Sequence, residues 1–219
     1  MGQEIDLLAN YPRTKRNVKE RAETKTEADR ALARQFGQDF FDGDRRHGYG
    51  GFQYNSRFWQ SVVPAFQQYF NLKAGNKILD IGCAKGFMLY DFVQAIPGIQ
   101  IEGIDISSYA IENAIESVRP YVKIADARML PYKDKFFDLI ISINTIHNLE
   151  KVELKKALKE IERVAKGRSF ITVDAYRNDE EKEAMYAWNL TAKTIMHVNE
   201  WKAFFEEVGY TGDYYWFVP

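Results

Sequence analysis

Three aspartates stand where a small polar ligand is usually read. Asp80 ends the apolar run "KILDI", Asp105 ends "IQIEGID" and Asp126 ends "YVKIAD", and the first is followed at once by a turn carrying Gly82 and Gly86. Glycines there permit close backbone approach and left-handed conformations, and a helix opening near Gly86 presents unpaired N–H groups. Asp105 lies 23 residues after Gly82, a spacing at which a carboxylate accepts both hydroxyls of a ribose. Asp126 is placed to accept from an exocyclic amino group. Three acids at three successive strand ends suggest an adenosine-shaped site. The competing structural readings are local: Asp105 capping the next helix through "DISS", and Asp126 capping the turn that follows it. A dinucleotide is the poorer ligand, because Asp80 would face an anionic pyrophosphate.

Two further groups have chemistry to offer. His147, in "INTIHNLE", titrates near neutrality when unperturbed and is a candidate general base. Its bland alternative is a packed imidazole bonded to backbone. Asp174, at the end of "SFITVD", is a second candidate base.

The elements that must hold these residues alternate regularly. Strands at "KILDI", "IQIEGID", "YVKIAD", "FFDLIISI" and "SFITVDAY" are separated by helices expected over Phe87 to Ala95, Ser108 to Ser117 and Val152 to Ala165. That order predicts an α/β fold: a Rossmann-like, doubly wound, mostly parallel sheet of six or seven strands with helices on both faces. "FFDLIISI" and "SFITV" read as its centre, since strands buried on both faces are nearly continuous in apolar residues. Residues 1–76 form an N-terminal helical extension with a lid or loop segment. One or two helices are expected between Thr14 and Gln35, and another from Arg57 to Phe70. The core spans 77–219, with a helical insertion at about 178–196, a helix capped by Asn199 and a last strand at "DYYWFV".

"ILDIGCAKG", "GIDIS", "IADA" and "FDLIISINTIHNL" resemble, in order and spacing, the successive motifs of class I S-adenosylmethionine-dependent methyltransferases, over about Lys77 to Asp174. The resemblance implies binding of S-adenosyl-L-methionine, with S-adenosyl-L-homocysteine as product. It implies that Asp80, Gly82, Cys83, Ala84 and Gly86 surround the methionine end, and that Asp105 takes the ribose. Ile106 would lie on the adenine face, Asp126 and Ala127 at the adenine edge, and Asn144 with Thr145 beside the methionine moiety. Ala84 departs from a family that often has glycine there, so this turn must tolerate a Cβ. No asparagine or aspartate precedes a "PPY", which argues against the subfamilies methylating amide or base nitrogens.

Two segments can complete an acceptor pocket. "HGYGGFQYNSRFW" occupies the place of a lid, with Tyr49 and Tyr54 to cover a sulfonium by cation–π attraction and Arg57 to clamp a carboxylate. "AMYAWNLTAKTIMHVNEW" offers Trp188, Thr191 and His197 as acceptor contacts. The expected function is methyl transfer to a small-molecule hydroxyl or amine, such as a sugar or secondary metabolite. Two alternatives stand: a protein or RNA methyltransferase docking through "YPRTKRNVKERAETK", and a binding module that holds the cofactor without transfer.

Composition narrows the partners. The 219 residues carry 30 Lys and Arg against 31 Asp and Glu, a formal charge of −1, so no global field favours nucleic acid. No apolar run approaches the length of a membrane span, no signal peptide is evident, and Cys83 is the sole cysteine. A cytoplasmic protein with no membrane partner and no metal is expected. The aromatic C-terminal edge is a candidate homodimer surface.

Overall fold

The computed structural model describes residues 2–12 and 25–218. The seven strands are β1 (Lys77–Ile81), β2 (Gln100–Asp105), β3 (Val122–Ile124), β4 (Leu139–Ile143), β5 (Ser169–Tyr176), β6 (Met196–His197) and β7 (Asp213–Phe217). They order as β3-β2-β1-β4-β5-β6, with β7 also paired to β5. Every pairing among these strands is parallel. β5 is long enough to hold two short partners: Phe170 to Asp174 pair with β7, and Ala175 and Tyr176 with β6. The extra strand is thus the two-residue β6, at the end of the 178–196 segment expected to be helical, whose helix α8 covers only Asp179–Trp188. The order of strands reverses between β1 and β4, the point at which open parallel sheets bind ligands outside their carboxyl ends.

Apolar residues alternate across the sheet and bury two separate layers. On one face Ile78, Ile141 and Phe170 pack with α4 (Val63–Phe70) and α5 (Phe87–Ala95), where Phe66 meets Phe170 edge to face at 5.2 Å. On the other face Leu79, Ile140, Ile171 and Val173 meet α7 (Lys151–Val164) and α9 (Val198–Val208). Leu154, Leu158 and Ile161 recur at helical spacing along α7 and are all fully buried.

Several expectations change. The helix from Arg57 to Phe70 is two helices, α3 (Ser56–Trp59) and α4, because Pro64 has no N–H to give to the Gln60 carbonyl and its ring would collide with it. Pro64 instead sits in the first turn of α4, where proline is tolerated. The helix expected to reach Ser117 stops early: α6 covers only Ser108–Glu112, and the Ile115 N–H is drawn away to the Lys85 carbonyl at 3.1 Å. α9 is capped by His197 and not by Asn199: the His197 ring accepts from the Asn199 N–H, and Glu200 accepts from the His197 N–H in a capping box. The aromatic edge proposed for a dimer is covered, since Ile5 donates to the Tyr214 carbonyl and Tyr214 to the Gln3 carbonyl, leaving Tyr214 and Trp216 buried. Of the Thr14 to Gln35 helices, α1 (Glu27–Ala33) is present, and residues 13–24 lie outside the described residues, as does most of the docking arm.

Residues 34–59 cross the carboxyl end of the sheet and are tied down in part by an ion pair between the buried Lys85 and the half-buried Asp42. Lys85 Nζ, in the turn after β1, reaches both Asp42 oxygens at 2.6 and 2.9 Å and the Phe52 carbonyl at 2.9 Å. Asp42 also accepts from Tyr109 Oη at 2.6 Å and from the Phe52 N–H at 2.9 Å. Burial alone would raise the Asp42 carboxyl, and these donors hold it below the usual carboxylate range. Asp42→Ala is expected to cost about 3 kcal/mol, because it strands the Lys85 ammonium in the interior. Lys85→Met should cost less, since Asp42 keeps two donors. Chemical denaturation of the two variants checks the order.

Candidate functional site

Beneath that crossing segment lies a cleft of about 1410 Å³ at the carboxyl ends of β1, β2, β4 and β5. Its sheet side is built by the turn after β1. Gly82, at φ +81°, lies so close to β4's exit that an added Cβ would fall 2.1 Å from Thr145 Oγ1. Gly86, at φ +76°, opens α5, and its Cβ would meet Val118 at 2.7 Å. Between them Ala84 is also left-handed, at φ +49°. Its Cβ is accommodated because the Asp105 carboxylate takes the Ala84 N–H at 2.8 Å and holds the turn in place.

Asp105 does two jobs. One oxygen accepts from Ala84 and the other from the Ser107 N–H at 2.9 Å, while Ser107 Oγ caps α6 by accepting from Ala110. The helix cap is thus Ser107 and not Asp105, which braces the capping residue and lines the cavity with lone pairs to spare. Burial raises its carboxyl above the usual range, partly opposed by those backbone donors. Ile106 beside it is 57% exposed and forms an apolar face of the cleft.

Asp80 is buried and has no hydrogen-bond partner among the described residues. Burial, then the charge of Asp105, raises its carboxyl to about 7. Two neighbouring acids, one wholly unpartnered, make a site that a cation would stabilise. Asp80 does not itself line the cleft; Ile81 and Gly82 do.

Ala127, Asn144, Tyr49, Arg57, Trp188 and Thr191 also line the cleft. Asn144 is left-handed at φ +50°, with its N–H donating to the Thr172 carbonyl and its amide oxygen accepting from Thr172 Oγ1 at 2.7 Å. Tyr49 packs on Phe52, with ring centroids 4.1 Å apart. Desolvation, then the nearness of Tyr11 and Asp105, raises its phenol, although the residue as a whole is 45% exposed.

Five residues proposed from sequence are placed elsewhere. Cys83 is buried in the core against Gly103, whose Cβ would sit 2.7 Å from its sulfur, and burial pushes its thiol up. Gly86 and Asp80 shape the turn without lining the cavity. Tyr54 donates to Asp91 at 2.7 Å and pins the crossing segment to α5. His197 is the cap of α9, with its Nε2 on the Arg177 carbonyl at 3.0 Å.

Two others line the cleft with their chemistry already committed. Asp126 is gripped by Arg128 through both oxygens, at 2.5–2.9 Å, in the local turn that was its structural reading, and this lowers its carboxyl. His147 accepts the Asp174 N–H at Nδ1, 2.8 Å, so the neutral ring carries its proton on Nε2 and has no lone pair left for a substrate. Burial lowers its pKa, only partly opposed by the Asp174 carboxylate. The base reading of His147 gives way to a structural one. Asp174 remains beside it, with its carbonyl held by Trp201 Nε1 at 3.0 Å.

Sequence reasoning missed Lys85, Asp42, Arg34 and Asn148. The Asn148 Oδ1 is buried without a partner in the cleft lining, one residue beyond a histidine that drew attention instead.

Residues 72–209 match the family described as a methyltransferase domain. Similar proteins include a tRNA (carboxymethyluridine(34)-5-O)-methyltransferase of Arabidopsis thaliana, 33% identical over 64% of this chain and 33% of that protein. A malonyl-[acyl-carrier protein] O-methyltransferase of Legionella pneumophila is 30% identical over 61% of this chain and 47% of that protein. The chain spans about a quarter to a half of the length of the curated relatives it matches. In fold it resembles the YcgJ protein of Bacillus subtilis, with a TM-score of 0.55 and 22% identity over 67% of this chain and 66% of that one. It also resembles a phosphoethanolamine N-methyltransferase of Haemonchus contortus in complex with phosphomonomethylethanolamine and S-adenosylhomocysteine, with a TM-score of 0.58 and 18% identity over 81% and 44% of the two chains.

His147→Ala should lower stability by about 2–4 kcal/mol, from the cavity and the orphaned Asp174 N–H. Its effect on S-adenosylhomocysteine affinity should stay below threefold, as read by calorimetry. The folded pKa of His147 is depressed, so its contribution is complete above the unfolded value of about 6.5 and is lost as pH falls below it. The stability gap between wild type and variant should therefore narrow from pH 7 to 5 in denaturant titrations.

Proposed function

The chain belongs to the class I S-adenosylmethionine-dependent methyltransferase family, and from this we propose that it transfers a methyl group to an acceptor held between the sheet ends and residues 34–59. The observation that carries the reading is the partnerless, buried Asp80 beside Asp105, at a turn whose Gly82 leaves no room for a side chain. That donor set suits a ligand bearing a sulfonium, an ammonium and a ribose.

Bound S-adenosylmethionine supplies an electrophilic methyl whose carbon–sulfur electron pair returns to sulfur as the acceptor attacks in line. What the chain supplies is position. The Gly82–Gly86 turn and Asp105 would fix the cofactor, Ile106 and Ala127 its adenine, and Tyr49 would close over it. Such alignment can be worth roughly 7–11 kcal/mol. If the acceptor is a hydroxyl or ammonium, the group to receive its proton is the Asp174 carboxylate, directly or through water, because His147 has no free lone pair.

The acceptor's identity is open among the classes that the relatives' names span, a tRNA base and a carrier-bound acid among them. A small molecule is favoured by the near-zero formal charge of the chain. No helix among the described residues is long and apolar enough to cross a membrane.

Calorimetric titration with S-adenosylmethionine and S-adenosylhomocysteine tests the cofactor half, with micromolar binding of both expected. Absence of binding by a folded sample removes the reading. Asp105→Ala should weaken either ligand at least tenfold. Because the Asp80 carboxyl ionises near 7, S-adenosylmethionine affinity should rise about three- to tenfold from pH 6 to 8, and Asp80→Asn should flatten that rise.

A further inference from the structure

The cleft is electrically two-sided. Its sheet side carries the Asp105 carboxylate, with Asp80 buried behind the turn, and neither has a basic partner among the described residues. The lid side, residues 34–59, carries several arginines, and they differ in how fully the protein pairs them. Arg46 and Arg128 are each paired, with Asp44 and Asp126. Arg45 donates to the Tyr49 carbonyl at 3.1 Å, whereas Arg34 and Arg57, which also line the cavity, make no side-chain hydrogen bond among the described residues.

Among the described residues, the one carboxylate within ion-pair distance of Arg34 is Glu27, at 3.9 Å and 77% exposed, and the Arg34 Nε–H is buried with no acceptor. A buried guanidinium N–H left unpaired is costly, and an oxygen supplied by a ligand removes that cost. Arg57 has no carboxylate within ion-pair distance among the described residues, and lies over the Phe58 ring with its carbon 4.7 Å from the centroid. Arg57 is exposed, and a guanidinium resting on a ring keeps N–H groups available, a donor set that suits a planar or tetrahedral oxyanion.

We propose that the methyl acceptor carries an oxyanion, a carboxylate or a phosphate, and that Arg34 and Arg57 recognise it. The cationic cofactor then occupies the acidic side and the anionic acceptor the basic side, so each ligand meets complementary charge and the two attract one another across the cleft. The inference rests on the methyl-transfer reading only in assigning the acidic side to the cofactor.

The test uses the full chain loaded with S-adenosylhomocysteine. Fluorescence of Trp59 and Trp188, which line the cleft, is followed on titration with inorganic phosphate, with acetate and with choline chloride at constant ionic strength. A saturable response to phosphate or acetate and none to choline is expected, and the tighter of the two anions identifies the oxyanion. Arg34→Gln and Arg57→Gln should each weaken that response at least fivefold more than they weaken S-adenosylhomocysteine binding, measured calorimetrically on the same samples. Arg34→Lys, which keeps the charge, should fall between Gln and wild type. A loaded protein that responds to neither anion, or variants that lose anion and cofactor affinity in equal measure, overturns the proposal. So does displacement of the anion response by micromolar tRNA, which would give the arginines to a polynucleotide. Failure to load at all is a failure of the methyl-transfer reading instead.

Discussion

The five residues Gly82 to Gly86 reverse the chain at the end of β1, and nearly every feature of the cleft hangs on how that reversal is held. Three of the five are left-handed. Backbone N–H groups of Gly82 and Cys83 both donate to the Ile104 carbonyl, that of Ala84 to Asp105, and the Lys85 carbonyl receives Ile115. A turn so heavily tied on the sheet side leaves Lys85 pointing toward Asp42. Through that single contact the same five residues shape the sheet side of the cleft and anchor the segment that covers it.

Electrostatics then divide the cavity. In low dielectric the acids at the strand ends cannot be screened by water, which is why the Asp80 carboxyl is pushed toward neutrality. The covering segment is stabilised by the opposite device, a buried cation satisfied by a carboxylate, a carbonyl and a phenol-linked network. Pairing that is complete marks the framework, as at Lys85 with Asp42. Pairing is incomplete, among the described residues, at Asp80 and at the Arg34 Nε.

His147 illustrates how bonding overrides residue type. Its neighbours are those of a catalytic histidine: a carboxylate at 3.4 Å and a cavity in front. Yet the Asp174 amide occupies the one lone pair that a neutral imidazole offers, and the His147 carbonyl is itself held by the Lys193 and Thr194 N–H groups at 3.0 Å. The residue joins β4's exit to β5 and to the loop before β6. Its work is to hold Asp174 and the 188–194 wall in register.

The α/β class, the bounds of β1, α5 and β5, and the cluster of Gly82, Ala84, Asp105 and Ile106 at one end of the sheet were legible in the sequence. Periodicity and turn chemistry are local properties, and the strand order that brings those ends together follows from short right-handed connections between parallel strands. What the tertiary structure alone decided were pairings between residues distant in the chain. Lys85 with Asp42, Tyr54 with Asp91, Ile115 with Lys85, and Gln3 and Ile5 with Tyr214 are contacts that no spacing encodes. Such contacts turned Tyr54 from a ligand group into a fastener, shortened α6 and closed the aromatic edge. The same limit applies to charge: an aspartate or arginine looks alike in sequence whether paired or not, and only the positions of every other donor and acceptor determine which charges remain for a ligand.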